Sequence, residues 1–521
     1  MRRAVVILVS LLGLMSGALA SAPAAQALSA PEGVEASKGK AFDAVIISWK
    51  WSTAPAAYVV QIAADKKFRD ATRVDVPARG SKPPGGRQSY KLTGLPDGTK
   101  FFVRVAAAST KGKLSGWSGV QTATTRMRLP SAPTGAVKAV PGPGPGQLTF
   151  TWSSKGDYTD YYALETATSP FDPRPRDHTV FHIDPKLRTY TLTAAQTQQA
   201  HAGIGTAWTL VWRFRAVNTG TAGGREERYF GQGQSRVMGE AATGPGSAIR
   251  VASYNIRTDN ISGPAAITWD SRAPRIARLI KDRRPGIVLL QELFPSMVPK
   301  FLTTLAQQDM GSYALDRQTA LVTGAPGEQK LQNRMLYDKT RYDMVDRCSV
   351  LVASTDCHIS WPTDAGPDYS PFVKMRDKAS GQEFYVLGFH LPRGEGLDAV
   401  RTAAMRSIVD QVEALNTEHL PVIVGGDSNS SQLRTGERPH DVLMEHGFYD
   451  TASTVDHVNP EYGTANDFTY QDPSPFGVSP RIDVIATLGM PGSDRFVNEV
   501  VEKGDPFPSD HNMIWTDLRL P

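Results

Sequence analysis

In the last half of the chain, short apolar runs repeatedly end in a polar residue that can carry chemistry. The run Val251-Ala252-Ser253-Tyr254 leads to Asn255, and Ile287-Val288-Leu289-Leu290-Gln291 leads to Glu292. Runs of this length and composition predict buried strands, and such strands deliver the polar residues beside them to the edge of a sheet. Chemistry in this half is therefore expected at a sheet edge.

The same pattern recurs in four more segments further along the chain. The polar positions beside these apolar runs are Asn255, Glu292, His390, Asp427 with Asn429, Asp483, and Asp510-His511. One polar group at a strand end has no special meaning. Six groups of positions from separated segments predict a single active site.

Helical patterns lie between the predicted strands. Residues 272–281, 297–307 and 399–415 each place apolar side chains on one face, which predicts amphipathic helices. Strands alternating with such helices indicate a β-rich, layered α/β domain with the strand ends along one edge. We assign this domain to residues 248–521.

The first half of the chain contains two similar units, at residues 29–126 and 131–243. Each opens with Ala-Pro and continues through short alternating stretches that contain an early tryptophan, Trp49 in one and Trp152 in the other. Short strands separated by Pro/Gly turns predict a β-sandwich for each unit. A Gly/Pro-rich stretch at residues 243–247 marks the boundary before the last half.

The beginning of the chain predicts export from the cytoplasm. Residues 1–27 combine Arg2-Arg3, a short apolar run, and small residues at Ala18-Leu19-Ala20 and Ala25-Gln26-Ala27. This is the pattern of a secretory signal peptide. The alternative, a membrane anchor, is disfavoured because the apolar run is shorter than the ~20 residues of a membrane-spanning helix. No later segment is apolar enough to span a membrane, so we expect a secreted protein without a transmembrane segment.

The chain has two cysteines, Cys348 and Cys357. In an oxidising compartment, two cysteines nine positions apart can close a small loop, so we predict a disulfide. A pair of free thiols is the alternative. Two cysteines are too few to form a zinc site alone.

Charge is distributed unevenly along the sequence. Residues 248–521 hold 27 Lys and Arg against 36 Asp and Glu, a net charge of −9, whereas residues 1–247 hold 30 against 16, a net charge of +14. A basic N-terminal half can bind a polyanion such as nucleic acid, a cell-wall polymer or an anionic membrane. An ordinary solvated basic surface explains the charge equally well.

Both N-terminal units resemble fibronectin type III domains. The resemblance rests on the early tryptophan and on a later aromatic-Val-Arg-Val strand, such as Phe102-Val103-Arg104-Val105 in the first unit, after a Leu-Thr-Gly-Leu stretch. The second unit departs from it at Ala194-Ala195-Gln196 and carries a long insertion through residues 220–234. The resemblance implies spacing or adhesion modules rather than catalysis.

The last half resembles the endonuclease/exonuclease/phosphatase superfamily over residues 249–520. The resemblance is carried by motifs in a fixed order, namely Ser253-Tyr254-Asn255, Leu290-Gln291-Glu292, Phe389-His390-Leu391, Gly425-Gly426-Asp427-Ser428-Asn429, Arg481-Ile482-Asp483-Val484-Ile485 and Ser509-Asp510-His511. It implies a multidomain chain in which two β-sandwiches precede an α+β, four-layered αββα sandwich. The active site would lie at the edge of both sheets.

The resemblance also implies roles for these residues. Glu292 with Asn255, and Asp510 as a second carboxylate, would bind Mg²⁺, with Mn²⁺ or Ca²⁺ as substitutes, because hard oxygen ligands suit hard cations. His511 would pair with Asp483, and either Asp427 or His511, or both together, would act as general base. Asn429 would orient a phosphate oxygen, and His390 would donate to a nonbridging or leaving oxygen.

The partner of His390 is the weakest point of the resemblance. Related sequences place an acidic or amide residue shortly before a strand like Met335-Leu336-Tyr337, and this chain offers only Gln332 and Asn333 there. We choose Asn333 as that partner and assign it to the catalytic set.

The sequence leaves the substrate open. A nuclease acting on extracellular nucleic acid is the first hypothesis, and a phospholipid (sphingomyelinase-like) or small-molecule phosphoesterase is the second. The acidic last half disfavours clamping a long duplex through many phosphate contacts, although the basic sandwiches could supply them. A non-catalytic surface-binding protein is the third hypothesis, and the oligomeric state is not predicted.

Overall fold

We describe the chain from a computed structural model, which covers residues 28–50, 55–79, 86–167, 178–200, 209–220, 222–259, 267–316, 332–345, 358–431 and 439–521. The predicted signal peptide at 1–27 and the predicted Cys348–Cys357 disulfide lie outside the described residues. Among the helices that are described, none combines the length and the apolar character needed to cross a bilayer.

The first N-terminal unit is a sandwich of two antiparallel sheets. Its strands are β1 Glu35–Lys38, β2 Val45–Lys50, β3 Ala57–Ala63, β4 Thr72–Pro77, β5 Arg87–Leu92, β6 Lys100–Ala108 and β7 Gln121–Thr124. The sheets are ordered β1-β2-β5 and β4-β3-β6-β7. Trp49 is fully buried between them, with its ring 5.0 Å from that of Tyr58. The tryptophan is thus a core residue, as the sequence predicts.

The second unit repeats this architecture. Its elements are β8 Lys138–Pro141, β9 Leu148–Thr151, β10 Tyr161–Ala167, β11 His178–Ile183, β12 Thr189–Leu192, α1 Ala194–Ala200, β13 Thr209–Thr219 and β14 Arg225–Arg236. The sheets are ordered β12-β9-β8 and β11-β10-β13-β14. The departure at 194–196 begins the short helix α1. The prediction of an insertion at 220–234 is wrong, because most of this segment forms β14, which pairs with β13 along its length.

Within the described residues, the last part of the chain contains four helices and two large sheets. Its first elements are β15 Ala248–Asn255, α2 Trp269–Arg283, β16 Ile287–Gln291, α3 Val298–Gln307, β17 Tyr313–Leu315, β18 Arg334–Asp338, β19 Tyr342–Met344, β20 His358–Trp361, β21 Asp368–Asp377 and β22 Glu383–His390. They are followed by α4 Asp398–Leu415, β23 Val422–Asp427, α5 Pro439–Glu445, β24 Tyr449–Asp450, β25 Asp456–Val458, β26 Asp483–Leu488, β27 Arg495–Asn498 and β28 Ile514–Arg519. The three helices predicted from the amphipathic patterns are α2, α3 and α4.

Each sheet is built around a parallel strand pair joined by a helix. The first sheet has the order β17-β18-β16-β15-β28-β27-β25, and α2 connects the parallel strands β15 and β16. The second has the order β19-β21-β22-β23-β26-β24, with β20 on β21, and α4 connects the parallel strands β22 and β23. The two sheets therefore share one β-α-β device at their centres.

The sheets pack face to face, with helices on both outer faces. Ile249 and Leu289 of the first sheet belong to the same buried cluster as Val386 and Ile423 of the second. Helices α2 and α3 cover the outer face of the first sheet, and α4 and α5 cover that of the second. This is the four-layered αββα arrangement expected from the motifs. Burial of apolar surface between layers is its main source of stability.

Two glycines before Asp427 allow a close approach at the centre of the second sheet. A Cβ atom on Gly426 would lie 1.8 Å from the carbonyl oxygen of Phe389, and one on Gly425 would lie 2.9 Å from Cδ1 of Leu289. No other residue type fits at Gly426 without displacing a strand. The paired glycines therefore let β23 lie against β22 and the facing sheet, and so position Asp427.

The segment after β14 runs along the last domain. The Glu240 N–H donates to the hydroxyl of Tyr449 over 3.0 Å, and the Ala242 N–H donates to Asp494 over 3.1 Å. The Gly246 N–H donates to the Leu520 carbonyl over 3.1 Å. These contacts fix the second sandwich against the last domain through the backbone of the connecting segment.

Candidate active site

The predicted site residues meet at one edge because of the strand directions. In the first sheet, Asn255 at the end of β15 pairs in register with Gln291, which precedes Glu292. In the second sheet, His390 at the end of β22 lies opposite Asp427 at the end of β23. Carboxyl ends of parallel strands share an edge, so each β-α-β unit delivers two side chains to the same place. Antiparallel β26 and β28 begin at this edge and add the groups near their first residues.

Asp427 is the centre of the cluster. Its Oδ2 atom lies 3.1 Å from Nδ2 of Asn255, 3.4 Å from Nε2 of His390 and 3.6 Å from Nε2 of His511. Its Oδ1 atom accepts the Asn429 N–H over 2.8 Å. Only 1% of the residue is exposed. Burial raises the pKa of Asp427, His511 opposes that rise, and the nearby Asp483 carboxylate adds to it.

His511 is held between two carboxylates. Its Nδ1 atom lies 3.0 Å from Oδ2 of Asp483, and its Nε2 atom faces Asp427. Burial alone would lower the pKa of His511, but Asp483 and Asp427 outweigh it and raise the pKa to about 10. The imidazole is therefore positively charged at neutral pH. The pairing of His511 with Asp483 that the motifs implied is present.

Gln332, not Asn333, lies beside His390. The Oε1 atom of Gln332 is 3.3 Å from His390 Nδ1, and its Nε2 atom donates to Asp368 over 3.0 Å. Because the amide NH₂ is turned toward Asp368, its oxygen faces the ring, and the ring carries a proton on Nδ1. A chain from Asp368 through Gln332 thus fixes the orientation of His390 toward Asp427.

The sequence-based choice of Asn333 is corrected by this arrangement. Asn333 is fully buried, and its Nδ2 atom donates to the Tyr369 carbonyl over 3.1 Å. Residue 333 precedes the buried strand β18, and its side chain ties the start of that strand to Tyr369 of β21. Gln332 lies in a turn and Asn333 lies just before β18, and the two side chains contact different partners, so only Gln332 reaches His390. Asp368 has no spacing signal that could have revealed it.

Glu292 follows β16 in the part of the site that the first sheet contributes, and both of its carboxylate oxygens accept hydrogen bonds. Its Oε1 atom accepts from Nδ2 of Asn255 over 3.1 Å, and its Oε2 atom accepts the Thr258 N–H over 2.9 Å. Burial would raise the pKa of Glu292, but His390, these hydrogen bonds and Arg257 hold it below its ordinary value. Glu292 is therefore a carboxylate at neutral pH.

Arg257 lies between the two predicted metal carboxylates. Its guanidinium is 3.6 Å from Glu292 Oε2 and 3.5 Å from Asp510 Oδ2. Burial raises the pKa of Asp510, and Glu292 contributes to the rise against the opposing His511 and Arg257. The sequence reasoning missed Arg257, although its position two residues after Asn255 on the same strand end was a usable signal.

Three residues of the site have backbone angles that side chains rarely adopt. Arg257, Glu292 and Asn429 have φ values of 56°, 61° and 49°. Such conformations cost of order 1 kcal/mol or more each and cluster at functional sites. Asn429 uses its turn to donate from Nδ2 to the Leu391 carbonyl over 2.9 Å, while its N–H reaches Asp427. Its side chain thus links the strand ends that carry His390 and Asp427.

Two groups of residues offer metal ligands. Ligand atoms of Asp427, Asp483 and His511 all lie within 4.8 Å of one another, so these residues could hold an ion. However, His511 is charged and already bonded to Asp483, which opposes a second cation there. The predicted set of Asn255, Glu292 and Asp510 offers carboxylate and amide oxygens, the donors that Mg²⁺ prefers. In that set, a cation already bridges the two carboxylates, namely the guanidinium of Arg257.

A small open cleft adjoins His390. Its volume is about 200 Å³, and its walls combine polar side chains with a short apolar floor. The lining residues include Gln332, Thr363, Asp364, Asp368, His390 and Arg393. Asp364 and Arg393 are exposed, whereas Asp368 is buried. The cleft therefore opens to solvent directly beside the cluster.

Comparison with known proteins gives likenesses at the level of solved structures. No protein-family model and no curated protein matches the chain. Similar structures include an endonuclease/exonuclease/phosphatase family protein from Bacteroides thetaiotaomicron, with 21% identity and a TM-score of 0.41 over 53% of this chain and 99% of that one. A mannosyl-6-phosphatase of the same organism has 21% identity and a TM-score of 0.40, over 51% of this chain and 98% of that one.

The catalytic domain of human nocturnin is also similar, with 16% identity and a TM-score of 0.37, over 53% of this chain and 94% of that one. These likenesses cover about half of the chain. The fibronectin type III assignment gains no support from them and stays a prediction.

Proposed function

We propose that the last domain is a metal-dependent phosphoester hydrolase in which a water molecule attacks phosphorus. The observation that supports this most is the placement of Asp427, a buried carboxylate contacted by two histidines and two asparagines at the edge of two facing sheets. A phosphoester gathers negative charge on its oxygens during attack, so it requires a base for water and cationic donors around phosphorus. Asp427, His511 and His390 supply these groups together.

Asp427 is the group best placed to accept a proton from water. Burial destabilises its charged form, which makes it a stronger base than an exposed aspartate. His511, charged through its contact with Asp483, is suited to donate to a nonbridging oxygen rather than to act as a base. We therefore propose Asp427 as the general base.

His390 is the proposed donor to the leaving oxygen. Its Nε2 atom is 3.4 Å from Asp427, and its ring borders the cleft. In the proposed step, the water oxygen forms a new bond to phosphorus and the ester P–O bond breaks. One proton of water passes to Asp427, and the departing alcohol receives a proton from His390.

The oxygen ligands offered by Asn255, Glu292 and Asp510 fit a divalent cation. Glu292 and Asp510 are two nearby carboxylates, and their attraction of Arg257 shows that the gap between them favours positive charge. We propose that Glu292, Asn255 and Asp510 hold Mg²⁺, with Mn²⁺ or Ca²⁺ as substitutes. When bound, the ion would supply Lewis-acid neutralisation of phosphate charge. Arg257 would then contact a phosphate oxygen in place of the carboxylates.

We further propose that this hydrolase works outside the cytoplasm, on the strength of the signal-like sequence at 1–27. The basic N-terminal half could hold an anionic polymer or cell surface near the site. Nucleic acid is the first substrate hypothesis from sequence, and the small size of the cleft favours a small phosphoester as the second.

The test is hydrolysis of plasmid DNA, RNA, sphingomyelin and small phosphomonoesters by the purified protein, with Mg²⁺ and with chelator. We expect metal-dependent hydrolysis of at least one substrate, abolished in His511→Ala. Full activity in chelator would contradict the metal proposal and leave Arg257 to neutralise charge beside Glu292. Lack of hydrolysis of every substrate would favour a binding protein instead.

A further inference from the structure

We propose that the cleft beside His390 is a subsite for one neutral, polyhydroxylated leaving group, such as a single sugar or polyol unit. The inference rests on the proposed phosphoester hydrolysis and names its substrate class. The cleft is lined by His390, whose Nε2 atom lies 3.4 Å from Asp427. A group seated there is therefore one side chain away from the reacting phosphorus.

The size of the cleft limits its occupant. At about 200 Å³ it is smaller than the ~300–1,000 Å³ pockets that hold drug-sized ligands. One ring or one short polyol is a suitable occupant, whereas a nucleotide chain would extend beyond it. The floor contains Ala365, Leu391 and Pro392, which can pack against the C–H face of a ring.

The chemistry of the walls selects hydroxyl groups. Asp364 and Asp368 are acceptors, Thr363 and Gln332 can donate or accept, and Arg393 is a donor. Two carboxylates disfavour a second phosphate, and Arg393 adds a donor to the lining. A hydroxyl both donates and accepts, so a polyhydroxylated group matches this mixed set better than a charged group does.

The orientation of His390 couples this subsite to the proposed chemistry. Asp368 accepts from Gln332, and Gln332 in turn faces His390 Nδ1. The same carboxylate therefore belongs to the cleft wall and to the chain that positions the proposed proton donor. A leaving alcohol in the cleft would present its oxygen on the side of the ring that faces Asp427.

The test compares two phosphomonoesters of six-carbon primary alcohols, glucose 6-phosphate and n-hexyl phosphate, at saturating Mg²⁺. They differ in hydroxyl groups but release similar alcohols. We expect kcat/KM to be at least about 10-fold higher for the sugar phosphate, because each hydrogen bond to a charged group contributes to binding. Asp364→Ala and Arg393→Ala should each reduce this ratio about 5-fold or more. Asp75→Ala, on exposed strand β4 of the first sandwich, is the matched control.

The outcomes separate the two proposals. If the wild type hydrolyses phosphoesters, His511→Ala does not, and the ratio is unchanged in Asp364→Ala and Arg393→Ala, the subsite is refuted while the hydrolase stands. Preference for n-hexyl phosphate or for plasmid DNA over the sugar phosphate would also overturn the subsite. If the wild type hydrolyses none of these esters, the proposed function itself fails.

Discussion

The two β-α-β units of the last domain have the same topology but deliver different chemistry. The first, β15-α2-β16, presents Asn255 and Glu292 beside Arg257, a set built to concentrate and balance charge. The second, β22-α4-β23, presents His390 and Asp427, side chains of types that can donate and accept protons. The difference shows that strand direction determines where side chains meet, while the residue at each strand end determines what they do.

Substitution of Asp427, which the second β-α-β unit contributes, should have the largest effect on activity. Asp427→Asn keeps the size of the side chain but removes its charge and its ability to accept a proton from water. We expect kcat to fall about 10³-fold or more, within the range for loss of a general base or its electrostatic partners. Steady-state kinetics with circular dichroism as a folding check would measure this. Retention of a tenth of the activity would exclude Asp427 as the base.

A buried network of charged side chains contacts the backbone of Asp483 and so supports the part of the site that the second sheet contributes. Asp450 lies 2.7 Å from Nε2 of His440, and Arg481 contacts both Asp450 and the Asp483 carbonyl. Removing one partner of such a network leaves uncompensated buried charge, so Asp450→Asn should lower the free energy of unfolding by about 3–5 kcal/mol. Calorimetry of the last domain's transition in the whole protein would measure it.

The same network predicts how stability depends on pH. His440 has its pKa raised to about 9, against the opposing effect of burial, by Asp441 and Asp450. Its contribution is complete below about pH 6.5 and is lost as pH rises through 9. Burial opposes the shift of Asp450, but Arg481 and His440 lower its pKa to about 2, so its contribution is lost only in strong acid. The alkaline loss should shrink in Asp450→Asn; an unchanged pH profile would refute this account.

Substitution of Glu292, which the first β-α-β unit contributes, should have a smaller effect on activity, and this effect should be linked to metal binding. Glu292→Gln is nearly isosteric, and we expect it to lower kcat/KM about 100-fold and to weaken Mg²⁺ binding measured by calorimetry. Glu499→Gln, which changes a carboxylate paired with Arg283 at the end of α2, is the matched control. Equal Mg²⁺ affinity in the Glu292 variant and the wild type would move the metal site elsewhere.

The smallest effect distinguishes the two candidates for supporting His390. Gln332→Leu removes the contact with Nδ1 and should lower kcat about 5–10-fold, with KM little changed. Asn333→Leu leaves the ring supported and should instead lower stability, because Asn333 donates to the Tyr369 carbonyl. A larger kinetic effect from Asn333→Leu would reverse this assignment.

Much of this arrangement could be predicted from the sequence. Apolar runs ending in Asn255, Glu292, His390 and Asp427 gave the strand ends, because buried strands are read directly from composition. Gln332 and Asp368 could not be assigned in the same way. Gln332 lies in a turn and Asp368 is the first residue of β21, so their contact depends on tertiary packing that periodicity does not encode.

The N-terminal half shows a different limit. Alternating residues predicted two sandwiches with tryptophan cores, but residues 220–234 looked like an insertion and are mainly strand β14. Its sequence, Arg225–Arg236, is rich in charge and contains two glycines, so it lacks the apolar alternation of a strand. Pairing with β13 along its length stabilises β14 as a strand, although the strand propensity of its own residues is low.

The most direct test of the central claim is hydrolysis in ¹⁸O-labelled water, with the product phosphate analysed by mass spectrometry. Attack of a water molecule on phosphorus predicts that each turnover places one labelled oxygen in the phosphate product and none in the alcohol. Label in the alcohol would mean cleavage of the C–O bond, and would contradict a site in which Asp427 activates water toward phosphorus.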